Sequence, residues 1–199
     1  MGLNANYEEF PLKLAKKISG TLFNVEARLP DNVFRKSFQE YRFCHFDLVM
    51  AEEFWNELRM LLDLSGQESL VCGLIDPDPA IYMTHVNKTG FVSIGKNANP
   101  SDYIHALTKY VPDDDVANFY LSALTLVWMV ESLEWGLWGE RDCETCILGC
   151  SSDLAQKIDN KSESFMKFSE IKVVFDDMPF RGQIWKKFGE DIQKNYFNT

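Results

Sequence analysis

The thiols are the first residues in this chain whose spacing suggests chemistry. Cys143-x-x-Cys146-x-x-x-Cys150 groups three of the five cysteines within eight residues, and clustered thiolates bind zinc or an iron–sulfur cluster. Strand geometry argues against that use. On an extended segment Cys143 points to one face, while Cys146 and Cys150 point to the other and lie about 13 Å apart at the usual rise per residue. Neither a shared metal nor a disulfide spans that distance. The expectation is small buried thiols in a reducing compartment, with no metal and no cofactor.

The three histidines, His45, His85 and His105, show no paired spacing. His45 and Asp47 share one side of an extended segment, so a His–Asp pair is one enzymatic option and a Cys143/Cys146 thiol site is another. Otherwise Asp47 caps the helix that follows. No nucleophile elbow of the G-x-S-x-G type is present, and neither of the glycine loops that cradle phosphates. Transfer of phosphate or hydride therefore has no support.

Acidic residues are more informative. Thirty Asp and Glu against twenty Lys and Arg leave a formal net charge of −10, which opposes contact with nucleic acid or an anionic membrane surface. Asp76-Pro77-Asp78-Pro79 is a stiff turn carrying two carboxylates, because each proline fixes its own φ and restricts the residue before it. Asp113, Asp114 and Asp115 precede a helix-like stretch, whose positive end favours carboxylates. In Glu134-Trp135-Gly136-Leu137-Trp138-Gly139-Glu140-Arg141-Asp142, the odd spacing of the tryptophans keeps them off one strand face. At least one of them should then be partly exposed or cover a helix. Exposed aromatics among charges suit a protein-binding hot spot, against the default of core packing.

The elements that must position these groups follow from periodicity. An amphipathic helix is predicted from about Leu48 to Leu64, closed by Gly66. A second opens at Asn99-Pro100-Ser101-Asp102, with Asn99 as cap and Ile104, Leu107 and Val111 facing inward. A third runs from about Phe180 to Phe197 on Ile184, Phe188, Ile192 and Tyr196. Strands are predicted over Leu70–Ile75, Ile81–Val86, Phe91–Ile94 and Thr125–Val130, the last of which has as its alternative the end of a helix begun near Val116. Further strands are predicted over Trp135–Trp138, Glu144–Leu148 and Ile171–Phe175. Two pairs read as hairpins, one turning at Asn87–Gly90 and one at Gly139–Asp142. Ser151–Ser164 reads as a polar surface excursion with one short helical turn. Hairpin-connected strands between helices of the N-terminal third, the middle and the C-terminus make an α+β fold with an antiparallel sheet. The chain of 199 residues fits one domain, 1–199. No apolar run approaches the roughly 20 residues of a membrane helix. The N-terminus lacks a secretion signal, so a cytoplasmic location is expected.

The stretch Trp135–Leu148, with its Trp/Gly strand, its Gly139-Glu140-Arg141-Asp142 turn and the Ile147-Leu148 strand, resembles small acidic bacterial immunity proteins. The resemblance implies a cytoplasmic protein that binds a toxin and neutralises it. Together with the acidity, it gives the leading expectation: a non-catalytic binding protein for a basic partner, a toxin domain such as a nuclease. The contacts would come from Asp76, Asp78, Asp113, Asp114, Asp115, Trp135, Trp138, Glu140 and Asp142. A small enzyme using His45/Asp47 or Cys143/Cys146 is the alternative. An acidic mimic of nucleic acid is a third reading, opposed by the abundant aromatics and the twenty basic residues.

Overall fold

A computed structural model describes residues 6–108, 118–177 and 182–197. The strands are β1 (Tyr7–Glu9), β2 (Glu40–His45), β3 (Ser69–Asp76), β4 (Phe91–Gly95), β5 (Thr125–Met129), β6 (Gly136–Glu140) and β7 (Thr145–Cys150). They form one sheet in the order β1-β4-β3-β5-β6-β7-β2, with every neighbouring pair antiparallel. With helices packed on this sheet the fold is α+β, as the sequence implies. No described helix is long and apolar enough to cross a membrane.

Both sheet faces are covered. On one lie α3 (Trp55–Ser65), α5 (Pro100–Thr108) and α7 (Ser152–Asp159), whose Leu58, Leu62, Tyr103, Leu107 and Ile158 meet Cys72, Leu126, Trp128 and Leu148 from the strands. On the other lie α1 (Leu12–Leu22), α8 (Phe168–Asp177) and α9 (Gly182–Phe197), with Leu22, Phe175, Phe188 and Ile192 against Val71, Val127, Trp138 and Ile147. Each such apolar side chain contributes about 1.5–3 kcal/mol by leaving water. This two-sided burial explains why β5, β6 and β7 are buried at every position.

The sheet's margins are short or engaged. β1 has three residues, and the outer side of β2 is bridged by Met166, which exchanges backbone hydrogen bonds with Phe43 at 2.8 and 2.9 Å.

The helix openings follow local chemistry. At α5, Asn99 Oδ1 accepts the Asp102 N–H and Asp102 Oδ2 accepts the Asn99 N–H, both at 3.0 Å, a reciprocal cap. Its inward residues include Tyr103 and Ala106 beside the predicted Leu107, while Ile104 is half-buried and Val111 lies outside the described residues. Gly66 ends α3 at φ 67°, a left-handed conformation that glycine adopts without penalty.

Several expectations are corrected. Ile81–Val86 is not a strand but part of α4 (Pro79–Val86): Asp78 caps it by accepting the Ala80 N–H at 2.6 Å, and Asn87 closes it at φ 55°. Ile171–Phe175 lies within α8, where Ile171 and Phe175, four residues apart, are buried and Val173 points to solvent. The helix predicted over Leu48–Leu64 breaks into α2 (Phe46–Val49), a 3-10 turn at Glu52–Phe54 and α3. His45 rather than Asp47 stands at the N-cap of α2, and no side chain bonds there. Ser151–Ser164 carries the two-turn α7, capped by Ser151 Oγ and buried through Leu154, Ala155 and Ile158. In α9, Trp185 packs inward and Ile184 is exposed.

Candidate functional site

Three strands finish together at one end of the sheet. Asp76 closes β3, Thr125 opens β5 and Glu140 closes β6, and the register sets Asp76 opposite Thr125 and Thr125 opposite Glu140. This row forms the floor of a cleft of about 290 Å³, walled by Leu29, Leu124 and Phe188, with Arg28, Asp142 and Cys143 at its sides. A neighbouring cleft of about 430 Å³ shares Arg28 and Asp76 and adds Asp78, Glu26 and Lys16 at its rim. Val25, Ile75 and Phe91 line it on the apolar side.

The segment that presents Arg28 and Leu29 is held from below. Tyr196 of α9 donates its hydroxyl to the Asp31 carbonyl at 2.8 Å and accepts the Val33 N–H at 3.0 Å. Arg28 is further fixed by donating Nη1 to the Val25 and Ala27 carbonyls at 2.9 and 2.8 Å. Its Nη2 reaches Asp76 Oδ2 at 3.3 Å. With both side chains 40% exposed, that pair contributes little stability and serves mainly to position the two groups.

Glu140 is the unusual group. It is only 5% exposed, at the bottom of the smaller cleft. Its Oε1 accepts the Leu29 N–H at 2.9 Å and the Trp138 indole N–H at 2.7 Å. Among the described residues, Oε2 has a single hydrogen-bond contact, the Cys143 thiol at 4.0 Å. Burial pushes the Glu140 carboxyl above its ordinary value; the two N–H donors and the Arg28 charge oppose this, and Asp142 adds to it. Burial, with Glu140 beside it, also pushes the Cys143 thiol up to about 12. A thiol held there is protonated at neutral pH and is no nucleophile.

The sequence-derived contact set divides. Asp76, Glu140 and Asp142 come together around the smaller cleft, and Asp78 joins Asp76 at the larger one. Asp78 is also the α4 cap, so part of its role is local. Asp113, Asp114 and Asp115 lie outside the described residues. Trp135 and Trp138 are corrected: both are fully buried, because the two sheet faces are covered. Trp135 sits in the α3 layer and donates to Ser65 Oγ at 3.0 Å. Trp138 packs on Phe23 in the opposite layer at 5.5 Å between ring centroids. Glu140 is likewise corrected from a turn residue to a strand residue, accessible only through the cleft. The tight turn is Arg141–Glu144 rather than Gly139–Asp142.

Exposed apolar side chains near the clefts come instead from α6 (Phe119–Ser122) and from Leu124, two residues beyond it. Tyr120 is 40% exposed, Leu121 59% and Leu124 44%. Arg141 fixes this segment by donating to the Tyr120 and Ala123 carbonyls at 2.6 and 2.9 Å, and the Leu124 N–H bonds the Asp76 carbonyl at 2.9 Å. α6 also touches α4, through the Tyr82 and Phe119 rings, and α4 exposes Ile81 and Met83. Arg28, Leu29 and Leu124 carry no motif, and only the fold reveals their part in the site.

Neither cleft has a histidine among its lining residues. His45 is half-buried beside an exposed Asp47, while His85 and His105 are exposed. Cys143 lies on the α8/α9 side of the sheet and Cys146 and Cys150 on the other, as the strand geometry requires. Among the described residues no group of three or more His, Cys, Asp or Glu is placed to hold a metal ion. The chain matches no protein-family model, no curated protein and no solved structure.

Proposed function

We propose that this chain is a non-catalytic binding protein of the immunity type, which grips and neutralises a basic toxin domain in the cytoplasm. The observation that carries this reading is the strand-end surface, where Asp76, Asp78, Asp142 and the buried Glu140 adjoin exposed Tyr120, Leu121 and Leu124. Carboxylates arranged about an apolar patch steer a basic partner inward and speed encounter, while desolvated apolar contacts slow its release. The net charge of −10 extends that steering over the whole molecule. All five cysteines are free, in keeping with a reducing compartment. A thiol-based enzyme is disfavoured by the protonated Cys143 and by the absence of a histidine from the clefts.

Co-expression tests the reading. The product of the gene directly upstream, if basic and toxic when made alone, is rendered harmless by this chain, and Leu121→Glu or the charge reversals Asp76→Lys and Asp142→Lys abolish protection. Undiminished toxicity in the presence of the wild-type chain, with no basic protein retained on it at low salt, refutes the proposal.

A further inference from the structure

The smaller cleft has a more specific use, which rests on the binding-protein reading. We propose that it is a socket for one lysine or arginine side chain of the partner, whose cationic head donates to Glu140 Oε2 while its stem lies between Leu29, Leu124 and Phe188.

Size, charge and an open acceptor point the same way. At about 290 Å³ the cleft falls just below the roughly 300–1,000 Å³ of pockets for drug-sized ligands, the scale of a single extended side chain. Among the described residues three carboxylates line it, Asp76, Glu140 and Asp142, against one guanidinium, that of Arg28, which is already paired with Asp76. Glu140 and Asp142 have no ion-pair partner among the described residues. Glu140 is more than nine-tenths buried, and both strong hydrogen bonds fall on Oε1. Oε2 is left with a thiol contact at 4.0 Å, weaker than an N–H or O–H donor provides. A buried carboxylate oxygen with spare acceptor capacity favours a charge-assisted N–H donor above other groups. The walls suit the rest of such a residue, since lysine and arginine lay aliphatic stems along apolar surface and keep their heads on polar groups. Arg28 shows the chemistry at first hand: its guanidinium rests on Asp76 at the same rim, supplied by the chain itself.

The test begins without the partner. The isotope-labelled full chain is titrated with N-acetyl-arginine amide, N-acetyl-lysine amide and N-acetyl-norleucine amide. Both cationic probes should move the Leu29 amide and Trp138 indole signals in a saturable way, and norleucine should not. Glu140→Gln keeps an oxygen for both N–H donors, so it folds as wild type yet loses the response; Asp142→Asn, at the rim, weakens it. Equal response to norleucine, no response to the cations, or an unchanged response in Glu140→Gln overturns the socket. With the basic partner in hand, Glu140→Gln should bind it about 30-fold more weakly. A partner that binds Glu140→Gln as tightly as wild type overturns the socket and leaves the binding-protein reading intact. Cationic probes seated in the cleft of a chain that neutralises no toxin overturn the functional reading and leave the socket in place.

Discussion

Trp138→Phe probes the support beneath the cleft. The substitution removes the indole N–H that reaches Glu140 Oε1 at 2.7 Å and leaves a gap beside Phe23 in a fully buried position. A hydrogen bond to a charged acceptor contributes about 1.5–3 kcal/mol, and the smaller ring costs roughly a further 1–2 kcal/mol in lost burial and cavity. The combined loss is about 3–4 kcal/mol, or a fall of about 10 °C in Tm for a chain of this size. Glu140→Gln turns this into a cycle. Glu140 has a folded pKa above its unfolded value, so its stabilisation is full below the unfolded carboxylate pKa and is lost as pH rises through the folded one. At pH 7 the wild type therefore carries a penalty that glutamine lacks. Glu140→Gln alone should raise Tm at pH 7, and the gain should vanish in acid. In the glutamine background the indole loses a neutral acceptor instead, and Trp138→Phe should cost about 1 kcal/mol less. Urea denaturation of the four proteins at pH 7 and in acid measures every corner of the cycle. Additivity within about 0.5 kcal/mol, or a Glu140→Gln protein less stable than wild type at pH 7, would refute the charge-assisted bond and the desolvation argument together.

Three further outcomes follow from particular contacts. Arg42, nearly buried, holds Asp159 with bonds of 2.7 and 3.0 Å and Glu40 with one of 3.1 Å; Arg42→Met should cost about 2–4 kcal/mol in urea denaturation at pH 7. The hydrogen bonds from Arg42 keep the Asp159 carboxyl below its ordinary value, so this contribution is present above the unfolded carboxylate pKa and fades as pH falls through the folded one. Arg42→Met should flatten that acid-side loss. A Cβ on Gly73 would sit 1.8 Å from the ring of the fully buried Phe91, whereas one on Gly149 would meet half-buried Phe38 at 2.3 Å. Gly73→Ala should thus destabilise by about 1–3 kcal/mol and Gly149→Ala by less, both read by thermal melting. Burial pushes the thiols of Cys143 and Cys150 up to about 12 and raises those of Cys72 and Cys146 as well. Native protein at pH 7.5 should show no fast-reacting thiol with a disulfide reagent, and all five should react on unfolding; a rapid native equivalent at Cys143 would restore the thiol-enzyme reading.

Two-sided burial explains what the sequence conveyed and what it concealed. Punctuation was readable: Asn99-Pro100-Ser101-Asp102 announces α5, and Gly66 the end of α3. Leu70–Ile75 is legible as a short apolar run ended by Asp76-Pro77-Asp78-Pro79, and Thr125–Val130 by its β-branched and aromatic residues, which leave a helix end as the alternative. Alternation misled, because a sheet covered on both faces has none, while half-exposed helices imitate it. Ile81, Met83 and His85 looked like one face of a strand but are the solvent side of α4, and Ile171, Val173 and Phe175 misled in the same way. At the site, the proline-stiffened Asp76 and Asp78 stood out in the chain. The burial of Glu140, Trp135 and Trp138 did not, since the groups that cover them, Phe23, Leu29 and Ser65, are 70 or more positions away. No local pattern reports contacts of that range.

The short β1 and the Met166 bridge on β2 bear on which parts of this surface can vary. With one margin only three residues long, the other bridged by Met166 and both faces roofed, the sheet offers mainly its tips, and those are made of connecting segments. Exposed residues there, such as Leu121 and Asp142, can be exchanged or recharged without emptying the core, whereas the buried Glu140, Leu29 and Phe188 cannot. The exposed tips can thus diverge while the buried scaffold stays the same.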